Sequence, residues 1–375
     1  MHKLNEITCK LCNAEITTPI IEFFKIKTIT SDCRPWCKGR SISICKNCGL
    51  ASRVVKKQYI DSFNSIYQNY NMFEQSSTTS DQKNFLENGS SLGRTERILD
   101  FFKKIVSISP KNILDFGSGN GAGLLALSQA FDSSNIFGFE PNDKPLNKIS
   151  SWPINIKKLF NERPSEKRFF DLITLFHVFE HIEDIFEVIS YIKKILKKDG
   201  FLIIQVPYVI KGPFDLIVGD HIHHFTKSAF SYFLKKIDLH PVLIDNCVIS
   251  KELTVIIKNN ENHDNFYPPN LEYKLMKDSV DWLKNFHDFV NDLKLNFKKV
   301  SVFGTGPAAA WTGSLLGQKC EVYLDEDEMR VGSIFNDKKI INPNNYVLNT
   351  PIIAPFPEYQ LKWIKKRFKN LNFLN

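Results

Sequence analysis

Asn112-Ile113-Leu114-Asp115-Phe116-Gly117-Ser118-Gly119-Asn120-Gly121-Ala122 is the stretch on which the fold turns. A short strand-like run, NILDF, stops in a turn with glycine at every second position, and a helical run, GLLALSQAF, follows at once. Gly117, Gly119 and Gly121 permit a tight reversal and let the backbone approach a ligand closely at the start of the helix. Glycines alone discriminate poorly, because GSGNGA also fits the G-x-G-x-x-A pattern of dinucleotide sites. Asp115 separates the readings: its carboxylate would oppose a pyrophosphate but can meet the ammonium end of a methionine-like ligand. The next strand-like run, NIFGFE, ends in Glu140, nineteen residues beyond Gly121. A carboxylate there can accept both hydroxyls of a ribose.

Working outward, an amphipathic run TERILDFFKKIV precedes the motif. Strand-like INIKKL, DLITLFHV and FLIIQVPY follow it, alternating with helical IEDIFEVISYIKKILKK and TKSAFSYFLKKI. Such alternation predicts an α/β fold whose parallel sheet is covered by helices on both faces. PVLIDNCV and ELTVIIKN are separated only by Ile249, Ser250 and Lys251, too few residues for a crossover helix, so an antiparallel hairpin should close the sheet.

Six of the eight cysteines fall within the first 48 residues. Cys9-Lys-Leu-Cys12 and Cys45-Lys-Asn-Cys48 are two C-x-x-C knuckles separated by 32 residues. Two-residue spacing lets both thiolates of a knuckle reach one metal, and two knuckles complete a tetrahedral four-cysteine site for structural Zn2+. Cys33 and Cys37 could replace a knuckle, bind a second ion or be uninvolved thiols in a loop, the last being the preferred reading. Residues 61–94 are polar, rich in Ser, Asn and Gln, and read as a connector. After a Pro/Asn-rich break at 261–270, Met276, Val280, Leu283, Phe286, Val290, Leu293 and Phe297 recur at helical spacing and form one apolar face. KKVSVFG, AAAWTGSLL and CEVYLDED then outline half a doubly wound fold. The division expected is 1–75 for the zinc-binding module and connector, 76–265 for the central core, and 266–375 for the linker helix and C-terminal domain.

The 375 residues carry 49 Lys+Arg against 41 Asp+Glu and are 43% hydrophobic, which excludes a disordered or fibrous chain. The net charge of +8 is spread over Lys-rich helices, with no block dense enough for a nucleic-acid arm. It would suit an anionic substrate. No apolar run approaches the roughly 18 residues of a membrane span. MHKLNEITCK shows no secretory leader pattern, so a cytoplasmic protein is expected. Oligomeric state has no signature in the sequence.

D-x-G-x-G-x-G, an acidic end to the second strand, and DLITLFHVFEHIED together resemble class I S-adenosylmethionine-dependent methyltransferases over about 111–260. The resemblance implies a seven-stranded doubly wound sheet, with S-adenosyl-L-methionine held at Asp115, Gly117, Gly119, Gly121 and Glu140 and with His177 on the cofactor side of the following loop. Leu159, Phe160 and Asn161 are the candidates by position for the adenine edge.

The order of modules, a four-cysteine zinc unit, a methyltransferase core and a small Rossmann-like α/β domain, resembles the sugar C-methyltransferases that act on nucleotide-linked 4-keto-deoxysugars. That resemblance places the substrate-facing stretch at Asp220-His221-Ile222-His223-His224-Phe225-Thr226. His221 matches the family's catalytic base, Asp220 its acidic neighbour, and His181 a second active-site histidine, with His224 as a further candidate. His181 or His224 would stabilise a developing enolate oxygen, and Asp220 would hold the imidazole or the sugar. Val218 stands where the family commonly has Tyr, and Tyr70 is the match for its connector tyrosine. INPNNY and IAPFPEY replace the Pro-Gly and Trp-Asn signatures of the C-terminal domain. Phe303-Gly304-Thr305-Gly306-Pro307-Ala308-Ala309 with Asp325 satisfies G-x-G-x-x-A, but one mononucleotide half reads as vestigial or as touching the substrate's nucleotide. The implied activity is C-methylation of a nucleotide-linked keto-deoxysugar through an enolate, for surface-polysaccharide or natural-product glycan synthesis. The alternatives are an O-methyltransferase acting on a glycan or sugar nucleotide, and a non-catalytic interaction protein that binds the cofactor.

Overall fold

The structure is a computed structural model that describes residues 7–16, 19–20, 26–36, 42–53, 66, 83–85, 91–142, 152–260 and 269–375. Cys37, Tyr70 and most of the connector lie outside the described residues. Within the connector Lys83–Phe85 pairs antiparallel with Ser91–Gly93, a hairpin that its polar composition concealed.

In the N-terminal unit β1 (Ile42–Ile44) pairs antiparallel with β2 (Ala51–Arg53), and Pro19–Ile20 lies along the outer edge of β1. Each C-x-x-C closes a tight turn: the Asn13 amide donates to the Cys9 carbonyl at 2.9 Å, and the Gly49 amide to that of Cys45 at 3.0 Å. The residue after each second cysteine is left-handed, Asn13 at φ 61 and Gly49 at φ 77. A Cβ on Gly49 would also stand 2.8 Å from Ser228 Oγ, so this position requires glycine.

The central unit runs α1 (Arg94–Ile105), β3 (Asn112–Phe116), α2 (Ala122–Ala130), β4 (Asn135–Phe139), β5 (Ile156–Phe160), β6 (Phe170–Phe176), α3 (Ile185–Ile195), β7 (Leu196–Pro207), β8 (His223–His224), α4 (Lys227–Lys236), β9 (His240–Asp245) and β10 (Glu252–Lys258). Its seven strands are ordered β5-β4-β3-β6-β7-β10-β9, all parallel except β10, which is antiparallel to both neighbours. This is the expected sheet with its terminal hairpin. Consecutive residues of the middle strands, such as Leu202, Ile203 and Ile204, are buried because helices cover both faces. β8 belongs to another sheet: it pairs antiparallel with β2 of the N-terminal unit.

α3 is shorter than its sequence suggested. The Lys194 and Ile195 carbonyls accept the Arg168 and Phe169 amides at 2.9 and 2.8 Å, and Leu196 is already buried in β7 opposite Phe170. The helix therefore ends before Lys197 and Lys198.

α5 (Pro269–Asn296) begins inside the expected break, with Pro269 as its first residue, where a missing N–H costs nothing. Met276, Val280, Leu283, Phe286, Val290 and Leu293 are buried as its periodicity required. The C-terminal unit continues with β11 (Val300–Phe303), α6 (Pro307–Leu316), β12 (Cys320–Leu324), β13 (Ile334–Phe335), β14 (Lys338–Ile341), β15 (Ile352–Ile353) and α7 (Glu358–Arg367). Its sheet order is β13-β14-β12-β11-β15, parallel apart from the short β13. The N-terminal unit also rests on this one: buried Trp311 donates its indole N–H to the Lys27 carbonyl at 2.7 Å. No described helix is long and apolar enough to cross a membrane.

Candidate functional site

β3 lies where the strand order reverses, with β4 on one side and β6 on the other, and the glycine turn leaves its C-terminal end. Ligands of open α/β sheets bind at such a switch point. Gly117, Gly119 and Gly121 all have positive φ, of 85, 51 and 83°. At Gly117 a Cβ would also come within 2.4 Å of a Val178 methyl, so the turn packs directly on the loop that follows β6. Glu140 extends from the end of β4 and accepts the Gly119 amide at 2.9 Å and the Asn142 amide at 3.0 Å. Burial raises its pKa, against the pull of those two amides. Asp115 sits beneath the turn, 2% exposed, and accepts the Thr174 hydroxyl at 2.8 Å. Burial pushes it up to about 7. The turn and the Glu140 carboxylate are thus neighbours, joined through the Gly119 amide.

The loop after β6 carries His177, itself left-handed at φ 56, then Glu180 and His181 in the short helix Phe179–His181. His177 Nδ1 lies 3.1 Å from Glu180 Oε1, and its Nε2 lies 3.1 Å from Glu252 Oε2 on β10. Gln205 donates to that same Glu252 oxygen at 2.8 Å and receives Thr254 at 2.7 Å. Burial and the Arg94 charge lower the His177 pKa, but Glu252 and Glu180 prevail and raise it. Each nitrogen of His177 thus faces a carboxylate.

The stretch 215–224 folds against this loop, with the Ile222 amide donating to the Glu180 carbonyl at 2.8 Å. The His181 and His221 rings meet edge to face with centroids 4.6 Å apart. Glu180 joins them, the three offering ligating atoms within 4.8 Å of one another, and Glu180 Oε2 is buried with no hydrogen-bond partner among the described residues. His221 Nδ1 lies 2.5 Å from Asp215 Oδ1, and His224 Nδ1 contacts Asp215 Oδ2. Burial would lower the His221 pKa, yet Asp215, helped by Glu180 and Asp220, pushes it up to about 9. His181 moves the other way, lowered by burial and by the charge of His221.

The residues expected to act together therefore divide. His177, His181 and His221 keep side-chain exposures of 20, 16 and 8%, whereas Asp220 and His224 are closed off at 0%. Asp220, expected to hold the His221 imidazole or the sugar, instead accepts the Ser31 amide at 2.8 Å and the Ser31 hydroxyl at 2.5 Å. Its carbonyl and carboxylate face His181 Nδ1 at 3.1 and 3.5 Å. His224, expected near a developing oxygen, sits behind Asp215. Two residues escaped the sequence reading. Asp215 lies in an apolar run, and Arg53 reaches across from β2 to donate to the carbonyls of His221, Leu216 and Val218 at 2.9, 2.6 and 2.8 Å.

Cys9, Cys12, Cys45 and Cys48 converge, with sulfur atoms 3.6 Å apart for Cys9 and Cys48 and 3.4 Å for Cys12 and Cys45. Tetrahedral Zn–S bonds of about 2.3 Å place sulfurs at nearly this separation, so the donor set fits zinc. In the C-terminal unit, Asp325 receives the Thr305 hydroxyl, and Arg330 donates to the same hydroxyl oxygen at 2.6 Å. A Phe356 ring atom lies 2.9 Å from where a Gly304 Cβ would stand. The acid of that G-x-G-x-x-A turn is thus engaged within the protein.

Residues 92–243 match the family model described as "Methyltransferase domain". Among curated relatives, the ubiquinone biosynthesis O-methyltransferase of Nitrosomonas europaea is 27% identical over 116 residues, 28% of this chain and 47% of that one. The C-methyltransferase NovU of Streptomyces niveus is 24% identical over 171 residues, 40% of each chain. The ubiquinone biosynthesis O-methyltransferase of Rickettsia conorii is 26% identical over 190 residues, 48% of this chain and 62% of that one. The chain spans about half the length of the curated relatives it matches. With the glycine turn at the switch point of a seven-stranded sheet, the central unit has the α/β fold of class I methyltransferases over the residues that match that family model.

Proposed function

We propose that the protein is an S-adenosylmethionine-dependent methyltransferase that C-methylates a nucleotide-linked keto-deoxysugar. The observation that carries this reading is the His181–His221 pair, backed by buried carboxylates, with His181 in the loop whose Val178 packs on Gly117 of the glycine turn. When bound, S-adenosylmethionine supplies a methyl group on a sulfonium, an electrophile suited to a carbanion. Gly117 to Gly121 would hold its chain and Glu140 its ribose. His221 Nε2 takes the proton from the carbon beside the sugar's ketone, since an unactivated C–H bond offers no nucleophile. His181, whose Nδ1 proton goes to the Asp220 carbonyl and whose pKa burial lowers, presents Nε2 as an acceptor and would hold a sugar hydroxyl beside His221. The division into 1–75, 76–265 and 266–375, a zinc ion on the four cysteines, and a cytoplasmic location belong to the same reading.

Two of the three relatives named above are O-methyltransferases, and the same imidazole could deprotonate a hydroxyl. Mass spectrometry and proton NMR of products from a panel of nucleotide-linked 4-keto-deoxysugars, with labelled cofactor, decide between them. A new C–CH3 resonance supports the proposal, and an O-methyl resonance replaces it with the second reading. If the cofactor binds and no sugar is methylated, the protein is a cofactor-binding interaction protein.

Glu140→Ala should weaken the cofactor at least about tenfold by calorimetry, because two charge-assisted hydrogen bonds are worth on the order of 1.5–3 kcal/mol each. Unchanged affinity would mean that the ribose is held elsewhere.

A further inference from the structure

Asp215 lies in the short helix Pro213–Ile217, whose neighbours Phe214, Leu216 and Ile217 are all buried. Its carboxylate is turned inward with them and meets two imidazoles, Oδ1 at His221 Nδ1 and Oδ2 at His224 Nδ1. A carboxylate can only accept, so both Nδ1 atoms must be the protonated ones. We infer that Asp215 is the positioning residue of this site: it locks His221 in the Nδ1-protonated tautomer, so that Nε2 is the atom offered to substrate, and His224 pins Asp215 in turn. The inference rests on the reading of His221 as the proton acceptor.

Three further observations support it. Asp220, the residue sequence reasoning put in this role, has both oxygens on Ser31 and its nearest imidazole is that of His181. Burial keeps His224 low despite the carboxylate, and its Nε2 has no partner among the described residues, as befits a neutral ring used only through Nδ1. Against its own burial, which would raise it, the two imidazoles hold Asp215 far below the ordinary carboxylate range, so it remains the anion that the arrangement needs. The groups facing the His221 ring are Asp215, Glu180 and Asp220 as carboxylates and His181 and His224 as rings, while Arg53 holds its carbonyl. Of these Asp215 is the one in contact with a ring nitrogen, which makes it the main source of the raised His221 pKa.

Nitrogen-15 histidine spectra of the full-length wild-type protein, with His221 assigned by its loss in His221→Asn, should show a protonated Nδ1 and a titrating Nε2. Asp215→Asn, whose amide can donate where the carboxylate accepted, should lower kcat by about a hundredfold or more through the wrong tautomer. KM should change by less than about threefold, since the substrate-facing surface is intact. The acid-side inflection of kcat/KM should fall by about one pH unit or more as the anion is lost. Asp215→Glu should recover part of both effects. A purely structural role would leave the inflection where it was. A neutral His221 that keeps its proton on Nε2 instead of Nδ1 at high pH, an unmoved inflection with near-normal kcat, or a second equivalent of metal bound through His221 would each overturn the inference. If no sugar is methylated, the wild-type spectra still decide it, and only the proton-acceptor reading falls.

Discussion

Cys45→Ser, or removal of metal by a chelator, should reduce methyl transfer by about a hundredfold or more while leaving S-adenosylmethionine affinity within about threefold, because a small metal module folds on its ion. The second knuckle, Cys45 to Leu50, runs directly into β2. β2 pairs with His223–His224, and its Arg53 gathers the carbonyls of Leu216, Val218 and His221. A guanidinium serving three carbonyls at once fixes the backbone on both sides of Asp220. Ser31, in the same N-terminal unit, holds the Asp220 carboxylate itself. The backbone of the cofactor turn is set by other elements: Gly117 to Gly121 and Glu140 belong to β3, β4 and the start of α2. Zinc content, calorimetry and turnover measured on the same samples test the separation. Full activity without zinc, or cofactor binding lost together with zinc, would refute it.

His221→Asn should abolish both methylation and exchange of the sugar's α-proton in heavy water, a loss of about a thousandfold, within the usual range for general base catalysis. Cofactor affinity should be unchanged. The pH dependence of the wild type carries the same information. Since the surrounding carboxylates push His221 up to about 9, only about one molecule in a hundred holds the free base at pH 7. A protonated imidazole cannot accept a proton. The kcat/KM of the wild type should therefore climb about tenfold per pH unit below 9 and level off above it. A profile flat from pH 6 to 9, or near-normal turnover by His221→Asn, would remove His221 from the chemistry.

Much of the fold is determined by sequence alone, because its signals are local. Period-two and period-3.6 patterns, three glycines at alternate positions, and two cysteines at two-residue spacing each restrict a few neighbouring residues, and neighbours can be read in order. Hence the seven strands, the closing hairpin, the apolar face of α5 and the convergence of Cys9, Cys12, Cys45 and Cys48 all follow from the chain as written. The end of α3 does not, because what stops it is the use of its last carbonyls by Arg168 and Phe169, a long-range demand on the backbone. The histidines were legible as a cluster, DHIHHFT with FHVFEH, but their division of labour was not. Nothing in PFDLI separates a carboxylate turned to solvent from one buried between two imidazoles, and nothing near Arg53 points to a loop some 165 residues away. Hydrogen-bond partners, and with them tautomer and pKa, are set by groups that only folding brings within 3 Å of one another, so Asp215 on His221 and Ser31 on Asp220 were decided by the tertiary structure alone.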